Sequence, residues 1–146
     1  MASTRNRWRS WRALPWRERV RLLHLALLLA LVQACLKVAG YARTRRWCEQ
    51  LGDAPQRRIA TAPDIADARR LAELTEIAGR HGLVRATCLR QALVVTTLLR
   101  RRGFDAQLRI GVQRDGEPFA AHAWVALNDV ALGPNGATFA AFGRDA

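Results

Sequence analysis

Residues 87–103 read TCLRQALVVTTLLRRRG. Leucine and alanine recur at helical spacing, Thr87 suits the N-cap, and Gly103 suits the position just beyond the last turn. Three arginines before that glycine complement the negative end of the helix dipole. The stretch therefore predicts a helix that buries one face and carries Cys88 in its first turn.

The position of Cys88 has two interpretations. The positive end of the helix dipole lowers the pKa of a thiol in the first turn and favours the thiolate, which is the reactive form. A cysteine among leucines also serves as a small buried hydrophobe without chemistry. Residues elsewhere in the chain must supply the partners that a nucleophile needs.

The segments on both sides of this helix predict the fold class. Upstream, residues 64–82 keep helical spacing, with Asp64 as the expected cap. Downstream, residues 104–113 and 119–127 are rich in strand formers and are separated by turn residues, and a short third strand follows at 130–132. Two helices followed by three strands predict an α+β fold.

The second predicted strand places His122 and Trp124 on one face. A thiol nucleophile needs such an imidazole, which takes the thiol proton and later donates one to the leaving amine. Backbone N–H groups at the start of the Cys88 helix can face a developing oxyanion. The alternative is that His122 is a half-buried strand residue with a backbone hydrogen bond.

Charge and cysteine content exclude several classes of protein. Residues 1–58 hold 13 basic residues and three acids, a net charge of +10, whereas residues 59–146 hold 11 and nine, a net charge of +2. The charge thus belongs to the N-terminal third, and no nucleic-acid partner is predicted. The three cysteines form no CxxC pair, which argues against a disulfide framework or a zinc site and favours a reducing, cytoplasmic location without a cofactor.

Residues 1–60 are predicted as a basic, leucine-rich helical region and residues 61–146 as the second domain, with a linker near residues 52–63. The 15 uncharged residues between Arg21 and Lys37 fall short of the roughly 20 that span a bilayer. Three interpretations remain open for this segment: a buried helix of the domain, an interfacial helix at lipid headgroups, and a docking helix for another protein.

Residues 88–127 resemble the core of the transglutaminase-like cysteine proteases of lasso-peptide biosynthesis, the microcin-processing leader peptidases. The family pattern is a cysteine that opens an LxxLLRRRG helix, an LRIGV strand, a turn and an AHAWVE strand. The resemblance implies a transglutaminase-like or papain-like core, in which the helix bearing the nucleophile packs on a small antiparallel sheet. It also implies that Cys88 is the nucleophile and His122 the general base for hydrolysis of a precursor's leader peptide.

The resemblance further implies a set of partners. Family members are fused to a small precursor-recognition domain or split from it, and this chain resembles the split, protease-only form. The expected partners are the leader region of the precursor peptide, a separate recognition protein and an ATP-dependent lasso cyclase. The N-terminal third is the candidate for docking one of these proteins or for a peripheral membrane contact.

Two departures from the family pattern concern the site. Ala126 stands where the family strand has a glutamate, and no carboxylate occupies residues 133–135, where the family has the aspartate of its triad. The enzyme is therefore expected to be slow, partner-activated or inactive. The alternative function is a basic peripheral-membrane or scaffold protein of the maturation complex with a degenerate site.

The third catalytic residue depends on strand register. If Asn128 and Asp129 form a two-residue hairpin, Asn135 pairs opposite His122 and is the candidate that orients its imidazole, as asparagine does in papain-like proteases. If the loop takes three residues, Pro134 and Gly136 face the histidine instead.

Overall fold

The computed structural model describes residues 15–84, 86–112, 121–133 and 140–141. Within these described residues, three helices precede a four-stranded antiparallel sheet with strand order β3-β2-β1-β4. The elements are α1 (Trp16–Gly52), α2 (Ala62–His81), α3 (Cys88–Arg101), β1 (Ala106–Val112), β2 (Ala121–Leu127), β3 (Val130–Leu132) and β4 (Ala140–Ala141). The predicted α+β class is confirmed, and the two-residue strand β4 is an addition to the prediction.

Helix α3 ends as the sequence predicts. The Phe104 N–H donates to the carbonyl of Leu99 at 3.1 Å and the Gly103 N–H to that of Arg100 at 2.8 Å, which is a Schellman motif. Gly103 has a φ of 86°, a conformation that glycine adopts without a Cβ penalty. Leu99 and Phe104 are both buried in one apolar cluster, so this turn also anchors the start of the sheet.

The core has two apolar layers, one on each side of α3. Ala92, Val95 and Leu99 of α3 pack on the face of the sheet that carries Val125 and Leu127. On the other side, α1 packs against α2 and α3 through a second cluster, which contains Leu22, Leu25, Leu29, Val32, Leu74, Leu93 and Val94. Helix α3 is therefore the central element of the fold.

The leucine-rich segment is thus a helix that packs one of its faces into the domain. Helix α1 runs further than the sequence suggested, and Gly40, at φ 77° and ψ 173°, interrupts its helical geometry. The Thr44 hydroxyl donates to the Gly40 carbonyl at 2.8 Å beside this interruption. The division at residue 60 stays a prediction.

The expected cap of α2 was wrong. The N-cap is Thr61, and Asp64 lies three residues inside the helix, where its carboxylate accepts bonds from the Thr61 N–H at 2.9 Å and hydroxyl at 2.7 Å. These bonds lower the pKa of Asp64. Pro63 is compatible with this earlier start because the N–H that proline lacks has no helical acceptor in the first turn.

Candidate active site

A cavity of about 110 Å³ lies where the N-terminal half of α3 meets α2 and the sheet. Cys88 and His122, the two predicted catalytic residues, both line it. The remaining wall is formed by Ala72, Glu73, Glu76, Gln91, Ala92, Val95, Ala123, Trp124, Val125, Leu132 and Gly133. The fold therefore brings together two residues that are 34 positions apart in the sequence.

Cys88 is the first residue of α3 and is a free, partly exposed cysteine. The first intrahelical bond of this turn joins the Gln91 N–H to the Thr87 carbonyl at 3.1 Å. The N–H groups before it have no acceptor within the helix, and the Thr87 side chain makes no capping bond. The thiol therefore lies at the N-terminal end of α3, next to backbone N–H groups that have no acceptor within the helix.

His122 lies on β2 opposite Gly111 of β1. Its ring is nearly parallel to that of the buried Trp124, with ring centroids 6.2 Å apart and an interplanar angle of 15°. Burial lowers the pKa of His122 below its usual value of 6.5. The imidazole is therefore mainly neutral at pH 7, the form that can accept a proton from a thiol.

Sequence reasoning missed Gln91, which also lines the cavity. Its side-chain Nε2 donates to the Ala86 carbonyl at 3.1 Å. A Cβ atom at position 79 would lie 2.7 Å from this nitrogen, so the glycine there leaves the space that the amide occupies. The sequence did contain a signal for Gln91, namely its spacing from Cys88, because a residue three positions after Cys88 lies on the same side of the helix.

Sequence reasoning also missed two carboxylates on the α2 side of the cavity, Glu73 and Glu76. Glu73 accepts a hydrogen bond from Arg70 at 3.2 Å, and Glu76 accepts one from Arg80. Each acid is thus paired with an arginine of its own helix, and no sequence motif links α2 to the cysteine.

The hairpin between β2 and β3 has a two-residue loop, the register for which Asn135 is predicted to pair opposite His122. Asn128 and Asp129 have φ of 50° and 60°, and Leu127 pairs with Val130 across this two-residue loop. Positive φ at both central residues matches the twist of a tight hairpin. The predicted third catalytic residue, Asn135, lies outside the described residues.

A second cysteine, Cys48, lies in a different cavity. Cys48 lines a separate cavity of about 370 Å³ between α1, α3 and β1, and burial raises the pKa of its thiol. A thiol of this kind is mainly protonated and unreactive at neutral pH. Across the described ranges of the chain, no three His, Cys, Asp or Glu side chains form a cluster that could hold a metal ion.

Comparison with known protein families finds a family model that matches most of the chain. Residues 28–143 match the family model described as the transglutaminase-like superfamily. The chain belongs to the transglutaminase-like superfamily. Superfamily members include cysteine proteases, so the thiol and imidazole in one cavity agree with the chemistry common in the family. No curated protein and no solved structure matched the chain.

The transglutaminase-like match also bears on the extent of the fold. It begins within α1 and ends beyond β4, so it includes both Cys88 and His122. The matched region therefore includes α1 from residue 28 onward, and Leu29 and Val32 of this part belong to the cluster that packs α1 on α2 and α3.

Proposed function

We propose that this transglutaminase-like protein is a cysteine peptidase that removes the leader peptide from a ribosomally synthesised lasso-peptide precursor. The observation that carries the proposal is the common cavity of Cys88 and His122 at the start of α3. The order of motifs over residues 88–127, which resembles the lasso-peptide leader peptidases, supports the choice of substrate.

The proposed reaction begins with proton transfer from the Cys88 thiol to the neutral His122 imidazole. The thiolate attacks the scissile carbonyl carbon, and the oxyanion that forms faces the backbone N–H groups of the first turn, which have no acceptor within the helix. When the C–N bond breaks, the imidazolium donates its proton to the leaving amine. The leader remains as a thioester on Cys88 until water, deprotonated by His122, hydrolyses it and regenerates the thiol.

The small cavity supports a requirement for partners. At about 110 Å³ it can hold the atoms around one peptide bond, whereas specific peptide recognition uses a much longer contact surface. We therefore propose that a separate recognition protein presents the leader and that the ATP-dependent cyclase consumes the freed core peptide.

A second candidate function follows from the missing carboxylate at residues 133–135. In the family pattern the aspartate stabilises the imidazolium, so a chain that lacks a carboxylate at that position is expected to turn over more slowly. The chain would then act as a scaffold of the maturation complex. Assembly of that complex by the Cys88→Ala variant, together with absence of cleavage by the wild-type chain, would favour this candidate.

The experiment that tests the peptidase function uses the full chain with a precursor peptide and the recognition protein encoded in neighbouring reading frames. Mass spectrometry follows release of the leader. We expect Cys88→Ala and His122→Ala each to abolish cleavage, whereas Cys48→Ala, the matched control in the other cavity, retains it. Cleavage by either of the first two variants contradicts the proposal.

A further inference from the structure

Helix α1 buries leucines on one face and exposes apolar residues on the opposite face. The exposed residues recur every three or four positions up to Leu31 and continue with Val38, and we call this set the apolar stripe: Trp16, Val20, Leu23, Leu27, Leu31 and Val38. Their exposed fractions run from 47% to 90%. At 1.5 Å per residue the apolar stripe is about 33 Å long, and a continuous apolar surface of this length is typical of an interaction site.

Basic side chains border the apolar stripe. On a helical wheel Arg17 and Arg19 flank it on its two sides near one end, and Lys37 flanks it near the other. The one acid in this part of α1, Glu18, lies on the packed side, where it accepts a bond from Arg70 of α2 at 2.9 Å. The surface around the stripe is therefore complementary to a negatively charged partner.

A groove of about 420 Å³ lies beside the apolar stripe, between α1, α2 and the end of α3. Val20 of the stripe is in its wall, together with three arginines and one acid: Arg21, Arg70, Arg102 and Asp67. Within the part of the chain that the structure describes, neither Arg21 nor Arg102 forms an ion pair with a carboxylate. These two guanidinium groups are thus available to phosphate oxygens next to the apolar surface.

We propose that the apolar stripe of α1 lies in the interfacial region of an anionic phospholipid membrane, with the bordering cations at the headgroups. The helix passes a length-and-composition criterion for a membrane span, but its other face packs Leu22, Leu25 and Leu29 against α2 and α3. A spanning orientation would remove those contacts. Helix α1 therefore lies along the membrane surface, as basic amphipathic helices do.

The test measures co-sedimentation of the full chain with vesicles of phosphatidylcholine and phosphatidylglycerol, and with vesicles of phosphatidylcholine alone. We expect binding to the anionic vesicles only, weakened by added salt. The double variant Leu27→Glu/Leu31→Glu should bind on the order of 100-fold more weakly, because it loses two apolar contacts and gains two like charges.

The matched control is Ile59→Glu/Leu83→Glu, which changes two apolar residues that are 84% and 68% exposed outside α1. It should bind as the wild type does, and circular dichroism should show both double variants folded. Equal binding of the stripe variant and the control overturns the proposal, as does equal binding to the two vesicle types. A lipid-free dimer that the stripe variant abolishes in analytical ultracentrifugation also overturns it and assigns the stripe to a second copy of the chain.

Discussion

Replacing Leu29 by alanine tests whether α1 is an integral part of the domain. The Leu29 side chain is 1% exposed and joins the cluster that holds α1 on α2 and α3. Loss of the buried carbons and the cavity left behind should lower the free energy of unfolding by about 3 kcal/mol. For a chain of this size that corresponds to a fall in melting temperature of about 6–12 °C.

Leu27→Ala provides the matched control because Leu27 lies on the opposite face of the same helix and is 53% exposed. It should change the free energy of unfolding by less than about 0.5 kcal/mol in the absence of lipid. Urea denaturation, followed by far-UV circular dichroism and by tryptophan fluorescence, measures both variants. Equal stability of the two, or a separate early transition for α1 in the wild type, would refute the packing of α1 as part of the domain.

Three further predictions concern the site and the turns. Burial lowers the pKa of His122, so protonation of the imidazole both destabilises the folded state and inactivates the general base. The contribution of neutral His122 to folding stability is present above pH 6.5 and is lost as the pH falls through the lowered pKa. For the same reason, the acidic limb of the pH profile of kcat/KM for leader cleavage should lie below pH 6.5. Gly79→Ala should displace the Gln91 amide and lower kcat/KM on the order of tenfold while circular dichroism stays unchanged; wild-type turnover would exclude a role for Gln91. Gly103→Ala should lower the free energy of unfolding by about 1–2 kcal/mol, because Gly103 has a positive φ and a Cβ there would lie 3.0 Å from the backbone oxygen of Gln56; urea denaturation measures the change, and an unchanged free energy of unfolding would contradict this.

The second half of the fold could be predicted because its signals are local. The end of α3 follows from the arginines and Gly103, and the β2–β3 hairpin follows from Asn128 and Asp129, whose type tolerates positive φ. The elements that carry Cys88 and His122 could be predicted because the start of the helix and the alternation of the strand are visible in the sequence.

The remaining features depend on tertiary contacts. Helix α1 carries leucine on several faces, so periodicity could not distinguish the face that packs on α2 from the exposed apolar stripe. The two acids of the cavity wall lie on α2, and only the packing of α2 against α3 brings them to Cys88. The cap of α2 was misplaced because threonine and aspartate are both good caps, and their reciprocal bonding decides between them.

The reactivity of the three thiols tests the central claim, that His122 activates Cys88, most directly. All three cysteines are partly exposed, so limiting iodoacetamide can reach each of them, and comparison with His122→Ala separates activation of Cys88 from access to it. Peptide mapping of the native chain at neutral pH should show Cys88 labelled roughly tenfold faster than Cys35 and Cys48, and His122→Ala should slow Cys88 alone. Equal labelling of the three, or labelling of Cys88 that is unchanged in His122→Ala, would contradict the pairing.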